Sequence, residues 1–232
     1  MQFSTPLHPD PRKGIDTTGV RPAGDGIPGQ NTFYRRHGKR LLDALCAAIA
    51  LTLLTPCLAF VAVLQKVFSS GPVFFTQLRV GKDGKTFSLV KFRTMSDGNN
   101  AKAPPLTIFG NPRITRLGAW LRRYKIDEVP QLWNVLKGDM SLVGPRPEVE
   151  YFVSGYSPQQ RRVLNALPGI TDPASIVYRH EEQILSRMPN PEQYYRTVVL
   201  PHKLSLNLEY LECVSLTQDV LLILKTVRSL FA

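Results

Sequence analysis

Two adjacent carboxylates, Asp127 and Glu128, follow a run of cations in Arg122-Arg123-Tyr124-Lys125-Ile126-Asp127-Glu128-Val129-Pro130-Gln131. The spacing predicts a helix from about Asp127 to Lys137, ending at Gly138, with both acids in its first turn. A helix N-terminus and nearby cations favour an ionised carboxylate and lower its pKa. Such a group can attack phosphorus and can ligate a hard divalent cation. The same residues at a helix start also serve as ordinary caps. Downstream, Gly144-Pro145-Arg146-Pro147 holds Arg146 between two prolines. A stiffly presented guanidinium suits bidentate phosphate binding, and a solvated turn fits the pattern too. Lys91 and Arg93 alternate along Lys91-Phe92-Arg93-Thr94-Met95, which puts both on one strand face. They suit a diphosphate, or simply solvent.

The elements that must position these groups are legible in outline. The chain has 232 residues and a formal net charge of +11, with 43% hydrophobic residues. That balance argues against wholesale disorder, and the charge asks for an anionic partner. Cys46, Cys57 and Cys213 show neither disulfide nor metal spacing, which suits a reducing setting. Residues 1–34 are expected to form a disordered tail rich in Pro and Gly. Residues 35–66 are expected to form a basic flank and a membrane segment, and 67–232 a domain on the cytoplasmic face that carries the candidate catalytic residues. The 21 residues Ala44 to Leu64 carry no charge. A straight helix of that length reaches about 32 Å, enough to cross a bilayer core. Thr55-Pro56 lies at its centre, and Arg35, Arg36, Lys39, Arg40 on one side face Lys66, Arg79, Lys82 on the other. Proline bends or breaks a helix, and basic flanks stay on the cytoplasmic side. A hairpin bent at Thr55-Pro56 satisfies both flanks; a straight crossing satisfies one. Strands are expected over 72–77 and 86–92 with a turn at Gly81-Lys82-Asp83-Gly84. Helical spacing recurs over 113–124, 158–166 and 191 onward, and the Leu-rich stretch 220–231 suits a membrane interface or the core.

These pieces together resemble the bacterial monotopic phosphoglycosyl transferases over about residues 38–230. The resemblance rests on an ordered set: Lys39-Arg40 with Asp43, Thr55-Pro56, Phe75-Thr76-Gln77, Lys91 to Met95, Asp127-Glu128 with Pro130-Gln131, Lys137 to Pro147, and Pro168-Gly169-Ile170-Thr171. It implies a mixed α/β, monotopic, membrane-associated domain with an N-terminal re-entrant membrane helix hairpin and interfacial amphipathic helices. It places the protein on the cytoplasmic face of the bacterial inner membrane. The implied reaction moves a sugar-1-phosphate from a UDP-sugar donor to a polyprenyl phosphate acceptor, starting glycan assembly. Asp127 would form a covalent phosphosugar intermediate and release UMP. Glu128 would assist in the metal site or in proton transfer, with Asp127 and Glu128 at Mg²⁺. Arg122 and Arg146 would recognise phosphate, with Lys91 and Arg93 as further candidates. Membrane lipids are implied partners, and a homo-oligomer stays open.

Two departures stand out. Many members carry a serine where this chain has Lys125, and many continue Pro-Gly-Ile-Thr with Gly-Trp-Ala-Gln. Here the chain reads Asp172-Pro173-Ala174-Ser175-Ile176, then Tyr178-Arg179-His180-Glu181-Glu182. That leaves the sugar open, with His180, Glu181 and Glu182 as candidate sugar contacts or an ordinary helix start. A nucleic-acid binder would need a recognition helix or an aromatic, basic sheet face, and the sequence has neither, so nucleic acid is not an expected partner. A catalytically dead scaffold would not need the intact Asp127-Glu128 pair.

Overall fold

The computed structural model describes residues 34, 38–69, 71–96, 106 and 109–231. The expected tail over 1–33 and the flanking Arg35 and Arg36 lie outside these residues, as do 97–105, 107 and 108. Tyr34, placed in the tail by composition, is buried and donates its hydroxyl hydrogen to Asp219 Oδ2 at 2.7 Å.

Helix α1 runs from Lys39 to Phe68 and passes through Thr55 and Pro56 as one helix, not as two separate ones. It is long and apolar enough to span or enter a membrane. Its middle is exposed, with Leu53 at 72% and Phe60 at 64%. Both ends, by contrast, are fastened to the folded body. Arg40 donates to Val135 O and Leu136 O at 2.5 and 2.9 Å, satisfying carbonyls at the end of the helix Gln131–Lys137. Asp43 accepts from Ser141 Oγ at 2.6 Å, and Gln65 Nε2 donates to Arg93 O at 2.9 Å. Ala47 packs with Leu89, Leu132, Val135 and Met140, whereas Val61 packs with Phe92 and Leu121. Each half of α1 thus belongs to a different apolar cluster of the same body.

Strands β1 (Phe74–Val80) and β2 (Thr86–Phe92) form an antiparallel hairpin, with Phe75 opposite Lys91. Helix α2 (Arg116–Arg123) starts at Thr115, whose side chain accepts from Gly118 N. This is the expected 113–124 helix, shortened to the stretch its cap defines. Helix α3 (Gln131–Lys137) ends at Gly138 in the left-handed conformation (φ 94°). It does not contain the acidic pair: Ile126–Glu128 forms a separate 3₁₀ turn, entered through Lys125 at φ 55°. Pro130 falls between the two, where its fixed φ starts α3 afresh.

Strands β3 (Ser141–Val143) and β4 (Gly169–Thr171) pair in parallel, Ser141 against Gly169. Between them lie the Gly144–Val149 loop, helix α4 (Glu150–Val153) and a 3₁₀ stretch at Gln160–Asn165, where 158–166 reads as helix. Helices α5 (Pro173–Val177), α6 (Glu181–Ser186) and α7 (Pro191–Tyr194) follow. A π-helical turn, Tyr195–Val199, then leads into α8 (Leu200–Glu212). Pro201 cannot donate a main-chain hydrogen bond and crowds the preceding turn, which accounts for the widening there. These helices surround the main core, built on Phe152, Tyr178, Leu185, Tyr195 and Val199. Helix α9 (Leu216–Phe231) packs on the core along one side only. Leu222 and Ile223 pack on Val143 and Tyr210, while Leu216, Val220, Leu221, Leu224 and Val227 are exposed.

The β3–β4 pairing requires close backbone approach. A Cβ on Gly169 would lie 2.1 Å from Gly144 N. Gly169→Ala is therefore expected to cost about 2–4 kcal/mol of stability by overpacking. A thermal melt read beside the wild type checks this; an unchanged melting temperature would contradict it.

Candidate active site

The site forms where β2, α2, the 3₁₀ turn and the Arg146 loop converge. Asn134 fixes one wall. Fully buried on α3, it accepts from Val90 N at 3.1 Å and donates to Ser88 O at 2.8 Å, so its amide pairs with β2 as a neighbouring strand would. That holds Lys91 in place, with its ammonium 5.3 Å from the Phe75 ring centroid. Thr94 fixes a second wall: its hydroxyl accepts from Arg122 Nε at 2.9 Å. A Cβ at Gly118 would lie 2.1 Å from Thr94 O, so only glycine lets α2 approach this closely.

Asp127 is 5% exposed, and its Oδ1 is buried with no hydrogen-bond partner. Burial, followed by the neighbouring Glu128, raises its pKa to about 6, against the opposing pull of Lys125, Lys91 and Arg122. The expected lowering by a helix start is therefore corrected. The carboxylate sits in a 3₁₀ turn outside α3, and desolvation outweighs the cations. Glu128 behaves oppositely. Burial alone would raise it, but Arg146, Lys125 and Lys91 prevail and hold it well below the usual carboxylate range. Its two oxygens take Arg146 Nη1 at 3.1 Å and Nη2 at 2.5 Å. Glu128 in turn raises the Arg146 guanidinium further. Lys91 falls to about 8 through burial, against the pull of Asp127.

The structure thus brings together Asp127, Glu128, Lys91, Arg122 and Arg146. It places Arg93 elsewhere: its Nη2 donates to Ser69 Oγ at 3.0 Å, at the end of α1. Thr55 and Pro56 lie on the exposed middle of α1. Of the variant segment, Glu182 Oε1 accepts from Arg122 Nη1 at 3.0 Å, and Glu181 Oε2 accepts from Lys203 Nζ at 2.9 Å. Sequence reasoning missed Thr94, Asn134 and Asp172. Thr94 and Asp172 stand inside segments already singled out, Asp172 with the helix-start signal of the following Pro173; Asn134 carries no local signal.

Residues 34–232 match the bacterial sugar transferase family. The chain belongs to that family. Among its curated relatives is the UDP-N-acetylgalactosamine-undecaprenyl-phosphate N-acetylgalactosaminephosphotransferase of Aeromonas hydrophila. It is 36% identical over 198 residues, which are 83% of this chain and 43% of the relative. The UDP-glucose:undecaprenyl-phosphate glucose-1-phosphate transferase of Caulobacter vibrioides is 35% identical over 196 residues, 83% of this chain and 69% of the relative. The Escherichia coli protein of the same name is 39% identical over 158 residues, 65% of this chain and 33% of the relative. This bacterial sugar transferase therefore spans less than half of the Aeromonas hydrophila protein.

A divalent cation fits this sugar transferase site only in part. Asp127 Oδ1 is an unpaired, buried hard donor. Glu128 has both oxygens committed to Arg146. Among the described residues no group of three His, Cys, Asp or Glu side chains is placed to hold a metal.

Proposed function

We propose that this protein is a phosphoglycosyl transferase, moving a sugar-1-phosphate from a UDP-sugar to polyprenyl phosphate through a covalent intermediate on Asp127. The observation that carries the reading is Asp127 Oδ1, unpartnered, buried and faced by Lys91, Lys125 and Arg122. A carboxylate used as a cap would spend that oxygen on a main-chain amide.

In the first half-reaction Asp127 Oδ1 attacks the sugar-bearing phosphorus. A carboxylate–phosphorus bond forms, the bridging phosphorus–oxygen bond breaks, and the bridging oxygen leaves with its electron pair on UMP. Lys91, Arg122 and Arg146 neutralise the diphosphate as charge moves onto the leaving group. In the second, a phosphate oxygen of the lipid attacks the same phosphorus and the Asp127 carboxylate departs. Mg²⁺, held by Asp127 and by donor phosphate oxygens, would screen the diphosphate charge. Glu128 holds Arg146 rather than carrying a proton. Glu182, now on Arg122, yields that guanidinium when a phosphate arrives.

The membrane arrangement belongs to this reading. Both ends of α1 are fastened to one body while its middle stays exposed. That favours a re-entrant helix entering from the cytoplasmic face of the inner membrane over one that crosses it. The exposed apolar side chains of α9, with Trp120 and Trp133, suit the same bilayer surface. The site then lies near the level of a lipid phosphate.

The test is UMP release by detergent-solubilised protein with Mg²⁺, polyprenyl phosphate and a panel of UDP-sugars. Activity is expected to rise through about pH 6, as Asp127 ionises, and to decline above about 8, as Lys91 loses its charge. Lys91→Arg should move the upper limb to higher pH and leave the lower limb in place. No release with any donor would sink the reading.

A further inference from the structure

Asp172 is the least exposed acid in the molecule's described part, at 0%. It follows β4 and caps α5, its Oδ1 accepting from Ser175 N at 2.6 Å. One capping oxygen explains half of this side chain. Capping is worth about 1 kcal/mol, less than the several kcal/mol that burying a carboxylate costs. Serine or asparagine would cap without that penalty. The other oxygen, Oδ2, accepts from Asn207 Nδ2 at 2.7 Å and from Arg146 N at 3.3 Å.

The second contact falls on the one peptide that aims Arg146. Pro145 O accepts from Gly169 N at 3.0 Å, so the Pro145–Arg146 peptide is held by its carbonyl on one side of β4 and by its N–H on the other. Two residues on, Pro147 O accepts from Arg79 Nη1 at 3.0 Å. With φ fixed at both prolines, the orientation of that peptide is the main freedom left to the loop.

We propose that Asp172 is the positioning residue for Arg146, locking the Pro145–Arg146 peptide so that the guanidinium meets both Glu128 and the donor diphosphate. This rests on the phosphoglycosyl transferase reading and gives the first residue of the variant segment a role in donor recognition. The role is exerted through Arg146 and not by contact with substrate.

Asp172→Asn separates this role from capping. Its amide oxygen keeps the Ser175 cap. Its NH₂ can donate to Asn207 Oδ1, which is buried without a partner, once that side chain turns over. The acceptor for Arg146 N–H is lost, together with the negative charge that Asp172 places near Arg146 and Lys203. UMP release is measured at varied donor and saturating lipid, beside hydrogen exchange of the segment 144–148 and thermal melting. Asp172→Asn is expected to melt within a few degrees of the wild type, to speed exchange at 144–148, and to raise donor KM about 5- to 10-fold. In an Arg146→Lys background the same substitution should add less than about twofold. Equal losses in both backgrounds, or unchanged exchange at 144–148, would overturn the proposal. If the wild type releases no UMP, the transferase reading fails, and the exchange measurement alone decides whether Asp172 holds Arg146.

Discussion

Asp127→Asn is expected to abolish turnover and, at pH 7.5, to make the folded protein more stable. Both results follow from one fact: the Asp127 carboxyl is buried, unpartnered at Oδ1 and raised from 3.8 to about 6. A carboxyl raised in the folded state contributes stability that is complete below its unfolded value and lost as pH rises through its folded one. At pH 7.5 the wild type carries that loss in full, about 2–3 kcal/mol. Asparagine is neutral at every pH and escapes it. The variant should therefore melt higher than the wild type at pH 7.5, with the gap closing toward pH 4. Turnover should fall at least about a thousandfold, because an amide cannot serve as the nucleophile. Melting curves at the two pH values, beside a UMP-release assay, read both effects. A variant that melts lower at pH 7.5 would mean that Lys91, Lys125 and Arg122 more than compensate for burial. Undiminished release would remove Asp127 as the nucleophile.

Arg146→Ala should harm both properties together. It removes the two hydrogen bonds that hold Glu128, whose side chain is 14% exposed. Breaking a buried pair from one side leaves an uncompensated charge, and the expected loss is about 3 kcal/mol near neutral pH. Glu128 is lowered in the folded wild type, so its pair contributes stability above the unfolded value that fades as pH falls. The deficit of the variant should accordingly shrink in acid, where Glu128 takes up a proton. Activity should drop at least about a hundredfold if, as proposed, the same guanidinium meets the donor phosphates. Adding Glu128→Gln to Arg146→Ala should restore much of the stability and none of the activity. A double variant no more stable than Arg146→Ala would mean that the pair is not what the loop rests on.

The outline of this site is legible in the sequence because it is made of local patterns. Proline on both sides of Arg146, the uncharged run before Leu64 and the alternation through Lys91 each act within a few residues. The charge state of Asp127 is not local. Its neighbours in the chain are cationic and argue for a low pKa, yet burial by other elements reverses the sign. Arg93 shares a strand pattern with Lys91, but the strand ends at Phe92 and the next side chain turns to Ser69, just past the end of α1. Asn134 and Asp172 are ordinary polar residues in one dimension. They matter because α3 lies against an open strand edge and because β4 brings residue 172 beside residue 146. Pro130 is the instructive near miss: it reads as part of a helix start, and it is one, but for a helix that begins after the acidic pair.

Asp219 gathers Tyr34, Lys39 and Tyr210 around one carboxylate, joining groups 185 and 180 positions apart. Chain synthesis delivers these partners in order, and at 5–20 residues per second about 10–40 s separate Lys39 from Asp219. For most of that interval α1 has been made, while Asp219, which holds Lys39 at its beginning, does not yet exist. The seam that Asp219 makes between α1 and α9 can therefore close only after everything between the two helices has been made.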